Sequence, residues 1–179
     1  PDRLEVRQGD ALAIDLAGLG ETPRRIVANL PYNVATPLLI GWLRQARAFE
    51  SLTLMFQKEV VERLAAKPRS KAYGRLSVLT QHVCEVTPLF DIAASAFVPP
   101  PKVVSSVVRL RPRPEVTGDL SRLEAVTAAA FGQRRKMLRS SLKGAFDDPE
   151  AVLGRLGLSP TARAEELAVD DFVRLAQSS

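Results

Sequence analysis

The stretch Ile26, Val27, Ala28, Asn29, Leu30, Pro31, Tyr32 is an apolar strand that stops abruptly at an amide, a fixed turn and an aromatic ring. In an α/β sheet the carboxyl ends of strands are where ligands sit, so this is the place to look for a site. Asn29 offers a side-chain oxygen and Leu30 a backbone carbonyl. Pro31 has no N–H to compete for that carbonyl, and its ring fixes φ at about −65°, which ends the strand and aims both acceptors outward. Tyr32 adds a flat face for stacking. This set suits an amino group on a base. An adenine amino group is a poor nucleophile because its lone pair is delocalised into the ring, and acceptors on its two N–H bonds localise that pair. On these four residues alone, an ordinary turn after a core strand is the alternative, since Asn beside Pro also marks one.

Working outward, the 179 residues with 46% hydrophobic content suffice for a sizeable core in one or two domains. No apolar run reaches the roughly 18 residues that cross a bilayer, and the opening residues, with Asp2, Arg3 and Glu5, lack the apolar stretch of a signal peptide. A soluble cytoplasmic protein is expected. The single Cys84 cannot pair within the chain, which excludes a disulfide scaffold, and it reads as a core residue of a protein kept reduced. His82 is the only histidine, so a histidine metal cluster is impossible and no metal is expected. Glu59 and Glu62, one helical turn apart, read as a solvated or ion-paired face.

Charge is more informative by place than by total. The chain carries +5, yet residues 147–179 hold seven acids against three bases, so that tail is −4 and residues 1–146 are +9. Two blocks contain no acid: Arg63, Lys67, Arg69, Lys71 and Arg75, then Arg134, Arg135, Lys136, Arg139 and Lys143. Either block alone could be a solvated face, but the pair together is the footprint of a phosphate backbone.

Leu4–Val6 alternates like a short strand, and Arg25–Ala28 and Leu52–Phe56 read as two more. A helix opens at Thr36–Pro37 with Leu38, Leu39, Trp42 and Leu43 on one face, and Val60, Val61 and Leu64 form a helix that stops before Pro68. Residues 68–74 are a basic loop. Leu76–Val86 reads as a long strand, Phe97–Pro101 as a rigid extended loop and Val103–Leu110 as a last strand, giving an antiparallel-looking pair without a crossover helix. Arg111–Pro114 is a stiff linker, after which only helical periodicity remains. Expected helices follow Leu120, Leu123, Val126, Thr127 and Phe131, then Met137, Leu138, Ser141 and Leu142 with Arg134–Lys136 at the start, then Pro149–Leu156 and Asp170–Ala176. The predicted architecture is an α/β domain over residues 1–114 and a small all-helical domain over 115–179. There are no internal repeats.

Six segments together resemble one family. They are Gly9-Asp10-Ala11; Asn29-Leu30-Pro31-Tyr32; Gln57-Lys58-Glu59-Val60; Tyr73-Gly74; Phe97-Val98-Pro99-Pro100-Pro101-Lys102-Val103-Val104-Ser105; and Phe131-Gly132-Gln133-Arg134-Arg135-Lys136. In this order they resemble the KsgA family of small-subunit ribosomal RNA adenine dimethyltransferases, and Glu165, Glu166, Leu167, Asp171, Phe172 and Leu175 look like that family's end. The resemblance implies a Rossmann-like class I methyltransferase sheet. It implies S-adenosylmethionine as methyl donor without a metal, with Asp10, Ala11 and Asn29 at the cofactor. Asn29 and Leu30 would accept from the target amino group, Pro31 would shape the turn, and Tyr32 and Phe97 would sandwich a flipped base. Arg63, Lys67, Arg69, Lys71, Arg75, Lys102, Arg134, Arg135, Lys136 and Arg139 would hold the RNA backbone rather than read bases.

The family also carries, ahead of the Gly9-Asp10 segment, a glycine-rich loop for the methionine end of the cofactor and an acid for its ribose. Neither is in this sequence, which opens at Pro1 and reads as the carboxyl-terminal two-thirds of a longer protein. Two sheet strands are then missing between Leu4–Val6 and Arg25–Ala28, leaving the first strand about 14 Å from its nearest neighbour. The expectation is poor cofactor binding by this chain alone. The substrate implied is 16S rRNA in the small ribosomal subunit, at two adjacent adenines of its 3′-terminal hairpin. An Erm-like enzyme of 23S rRNA and a non-catalytic ribosome-assembly module are the alternatives, and the Gln133–Lys136 segment and the Glu165–Leu175 tail favour the first reading.

Overall fold

A computed structural model describes residues 4–31 and 33–178. Four strands, β1 (Arg25–Asn29), β2 (Ser51–Gln57), β3 (Cys84–Ile92) and β4 (Ser105–Pro112), form one sheet in the order β1-β2-β4-β3. β1 and β2 are parallel, whereas β4 runs antiparallel to both β2 and β3. The sheet is therefore mixed, as the strand pattern predicts, with the chain reversing direction at its last strand.

Three helices accompany the sheet: α1 (Ala35–Arg44), α2 (Lys58–Leu64) and α3 (Arg75–Val83). α1 buries Leu38, Leu39, Trp42 and Leu43, and α2 buries Val61 and Leu64. These side chains join Leu52, Leu54 and Phe56 of β2 and Val108 and Leu110 of β4 in one core. Burying each leucine contributes about 1.5–3 kcal/mol. The alternate positions of the strands face the other way and are covered less. Register aligns Val27, Thr53, Arg109 and Thr87 in one row across the sheet, and Val27 on edge strand β1 is 81% exposed.

After the linker come α4 (Leu120–Gly132), the short α5 (Leu138–Ser141), α6 (Pro149–Arg155) and α7 (Val169–Gln177). Capping carboxylates fix where three of them begin. Asp119 accepts from the Ser121 N–H at 2.8 Å, Asp148 from the Ala151 N–H at 3.0 Å, and Asp171 reaches back to the Ala168 N–H at 2.9 Å. Leu123, Val126, Leu138, Leu153, Phe172 and Leu175 are among their buried residues, joined by Leu142 just after α5.

The structure corrects four expectations. Arg111 and Pro112 belong to strand β4, paired with Glu85 and Cys84, rather than to a linker. Leu76–Val86 is not one strand: α3 runs to Val83 and β3 begins at Cys84. The helix is set by its start, where the Ser77 hydroxyl accepts from the Gly74 N–H at 3.1 Å and donates to the Arg63 carbonyl. His82 consequently sits on a helix, and a helix does separate the basic loop from β3. Leu4–Val6 forms no ladder, and Leu4 and Val6 are 80% and 84% exposed. A strand needs a partner for its backbone groups, and among the described residues β1 has none on its outer edge. Finally, Arg134–Lys136 do not open a helix. They form the turn between α4 and α5, closed by Lys136 N–H donating to the Gln133 carbonyl at 2.8 Å.

Candidate active site

β1 delivers Asn29 to the carboxyl end of the sheet. Leu30, only 6% exposed, plugs the turn into the core, and the Pro31 carbonyl accepts from the Val34 N–H at 3.1 Å to steer the chain into α1. Tyr32 lies outside the described residues. Asn29 itself is exposed, and no described group holds its side-chain amide. Among the described residues its oxygen is open to a ligand.

The second wall comes from the connection between β3 and β4. A single 3-10 turn, Ala94–Ala96, precedes Phe97, whose N–H donates to the Ala94 carbonyl at 3.2 Å. Asn29, Leu30, Pro31, Met55, Phe97, Pro99 and Pro101 line one cavity of about 310 Å³. That is within the range of small-molecule sites, and its chemistry is one amide among apolar and ring surfaces. The amide turn and the Phe97 loop, 68 positions apart in sequence, are therefore brought together as expected. Met55 and the two prolines were not anticipated as lining. Register explains Met55: it pairs with Asn29 on β2 and shares the face of Thr53, which the alternation of that strand carries in principle.

Lys58 anchors the loop at both ends. Its backbone N–H donates to the Val104 carbonyl at 2.9 Å and its ammonium meets Asp91 at 2.7 Å. The Lys58 hydrogen bond, followed by one from Ser106, holds the Asp91 carboxyl below the usual carboxylate range, and Asp91 in turn raises Lys58.

The expected cofactor residues are not gathered at this cavity. The Asp10 carboxylate accepts from the Leu12 N–H two residues on, at 2.9 Å. Ala11 lines a separate cavity of about 100 Å³ with Leu12, Ile14, Pro37, Leu38, Gly41, Trp42 and Gln45. Neither borders the Asn29–Phe97 cavity. A volume of this size does not fit S-adenosylmethionine, so the described residues alone do not complete a pocket for it. No group of three or more metal-ligating side chains occurs among the described residues, and no described helix is long and apolar enough to cross a membrane.

The cations separate into two kinds. Lys67, Arg69, Lys71, Lys102, Arg135 and Lys136 are exposed. Arg63 is paired with Glu59 at 2.9 Å, Arg75 lies 3.7 Å from Glu124, and Arg139 lies 3.9 Å from Glu150. Arg134 bonds to Glu165 and to the carbonyls of Lys71 and Tyr73. A larger cavity of about 510 Å³ lies where α1 ends and α4 begins, lined by Leu43, Arg47, Val83, Arg113, Val116 and Asp119 among others. It has no counterpart of the Asn29 turn.

Residues 2–179 match the profile of a family described as ribosomal RNA adenine dimethylase. Curated relatives named ribosomal RNA small subunit methyltransferase A include those of Rhodospirillum rubrum, 64% identical over 99% of this chain and 62% of the relative, and Paramagnetospirillum magneticum, 62% identical over 99% and 64%. The chain thus spans a little under two thirds of the length of these relatives. Among solved structures, a dimethyladenosine transferase from Plasmodium falciparum is similar with a TM-score of 0.83 at 27% identity, over 97% of this chain and 71% of that one. The 23S rRNA methyltransferase ErmE is similar with a TM-score of 0.59 at 25% identity, over 92% and 69%.

Proposed function

The chain belongs to the ribosomal RNA adenine dimethylase family, and on that premise we propose that it is the adenine- and RNA-holding part of an enzyme that dimethylates two adjacent adenines in the 3′-terminal hairpin of 16S rRNA, in the cytoplasm, during small-subunit maturation. The observation that carries this is the single cavity joining Asn29, Leu30 and Pro31 to Phe97. The methyl groups come from S-adenosylmethionine, whose sulfonium methyl is already electrophilic. The residues of this chain then have two tasks. The Asn29 side-chain oxygen and the Leu30 carbonyl accept the N–H bonds of the target amino group, and Phe97 stacks on the flipped ring, a contact worth about 1–3 kcal/mol per base. Tyr32 is proposed as the opposing ring. Asp10 and Ala11, with Asn29, are proposed cofactor contacts only when further protein completes their pocket.

The exposed cations Lys67, Arg69, Lys71, Lys102, Arg135 and Lys136 are the proposed backbone contacts, with Arg63 and Arg139 joining once RNA phosphates displace their exposed partners Glu59 and Glu150, and Arg75, which faces the shielded Glu124 at 3.7 Å, turning outward to join them. Residues 1–114 and 115–179 are proposed as the two domains. The relatives' names and the closer fit to the dimethyladenosine transferase than to ErmE favour the small-subunit substrate over the large.

The test is methyl transfer from labelled S-adenosylmethionine to undermethylated small ribosomal subunits, comparing this chain with a version that also carries the remaining part of the relatives' length. Activity confined to the longer version supports the reading and the incomplete cofactor pocket. Activity in neither overturns the dimethyltransferase reading, and activity only on large subunits makes the chain Erm-like.

A further inference from the structure

The basic loop between α2 and α3 is held from outside. The Arg69 N–H donates to the Glu165 carbonyl at 2.7 Å, and Arg69 has φ of +69°, a conformation that non-glycine residues keep only where the surroundings hold it. The Glu165 carboxylate accepts from Arg134 Nε at 3.1 Å, and Arg134 Nη2 donates to the carbonyls of Lys71 at 2.7 Å and Tyr73 at 3.1 Å. Below the loop, Tyr73 is fully buried, edge-on to Phe131 at 6.0 Å between centroids, with Phe131 5.3 Å from Phe172. One arginine and one glutamate thus tie the loop, the α4–α5 turn and the segment before α7 together.

We infer that Arg134 is a positioning residue, a clasp that fixes loop 67–74 so that Lys67, Arg69 and Lys71 form one cationic surface with Arg135 and Lys136, and that the partner of this surface is an RNA phosphate backbone crossing from the loop to the α4–α5 turn. The inference rests on the RNA-binding reading above. Arg134 has its charge matched by Glu165 through Nε and its Nη2 group turned to the loop carbonyls. Arg134 is exposed like the other five, but those five form no ion pair among the described residues. Five fixed cations on one side release counterions together, which gives a steep salt dependence.

Glu165→Ala separates the clasp from simple attraction by sign. Removing an acid beside a basic surface strengthens RNA binding if only net charge matters, whereas loss of the clasp weakens it. Binding of an RNA hairpin with two adjacent adenines in its loop is measured against salt for the 179-residue chain and its Glu165→Ala, Arg134→Ala and Lys71→Ala variants, with circular dichroism confirming folding. Amide exchange across residues 69–74 is followed without RNA. The clasp predicts about tenfold faster exchange at Arg69 and Tyr73 in Arg134→Ala, weaker RNA binding in Glu165→Ala, and a salt slope lowered by about 1 in Lys71→Ala. Unchanged exchange in Arg134→Ala, or tighter RNA binding in Glu165→Ala, overturns it. A wild-type chain that ignores RNA even at low salt defeats the RNA-binding reading and the assigned partner, while the exchange measurement still decides the clasp.

Discussion

Arg44, in the last turn of α1, and Glu124, in the second turn of α4, face each other through two hydrogen bonds of 3.1 and 2.8 Å. The arginine is half-exposed, but the glutamate side chain retains only 12% of its exposure. It also lies 3.7 Å from Arg75, the first residue of α3. A fork-to-fork pair around a shielded carboxylate is stronger than an open surface pair, and this one couples a helix on the sheet to the first helix after the linker. Glu124→Ala is expected to lower stability by about 1 kcal/mol, near the low end for a charged hydrogen bond because both guanidinium groups can turn to water. Urea unfolding checks this. A change within error would mean that the pair records geometry without holding it.

Phe97 and Asn29 are expected to fail differently in the complete enzyme. Phe97→Ala removes a stacking face and weakens binding of the RNA by about 5- to 150-fold, as a loss of about 1–3 kcal/mol implies, while Phe97→Trp restores it. Asn29→Ala leaves folding intact, because the side chain is exposed and no group among the described residues holds it, but removes an acceptor needed as the amino group becomes a nucleophile. It should lower kcat by about 100-fold or more with little change in KM. Equal effects on KM from both substitutions would remove the distinction between a stacking and an activating role.

One wall of the cavity was legible in backbone chemistry, while Phe97 was placed opposite it only through the family resemblance. Asn29-Leu30-Pro31 ends a strand by the loss of an N–H, and the proline run after Phe97 allows little except an extended loop. The segment Leu76–Val83 was misleading for an equally physical reason. Leu76, Ser77, Val78, Leu79, Thr80 and Val83 are buried together, so no polar face imposes a 3.6-residue period, and the β-branched residues weigh toward a strand. The helix is decided instead by Ser77 at its first turn and by packing, neither of which periodicity records. The two basic blocks were visible as composition, but that Arg134 spends its donors on Lys71, Tyr73 and Glu165 depends on contacts between residues far apart in sequence.

Cys84 offers a direct reading of the join between α3 and β3. It is fully buried as the first residue of β3, paired with Pro112, and burial pushes its thiol up to about 12, partly offset by Arg113. At pH 8 on the order of one thiol in ten thousand is then ionised, and the thiolate is the reactive form. The native chain should resist a disulfide reagent and react fully in urea, with the labelling rate at low urea reporting opening of this strand. Rapid labelling of the native chain would place Cys84 at a surface and contradict the register with β4.

His82 links acidity to the contact between α3 and the segments after the linker. Burial holds its pKa below the ordinary value of 6.5, with Arg113 acting in the same direction, while a backbone hydrogen bond at Thr117 and the charge of Asp170 oppose the shift. In the window between the two values the unfolded chain binds more protons at this site than the folded one. The neutral, half-buried ring therefore favours the fold fully above about pH 6.5, and that contribution is lost as pH falls through the lowered folded value. His82→Gln removes the site. From pH 7.5 to pH 5 the wild type should lose more of its stability than the variant, whatever their difference at pH 7.5, because carboxylates titrating at the acid end are common to both chains. Nuclear magnetic resonance titration of the only histidine should show the lowered midpoint. A midpoint above 6.5 would reverse the sign, with Asp170 and Thr117 outweighing burial, and the wild type would then gain stability relative to the variant in acid.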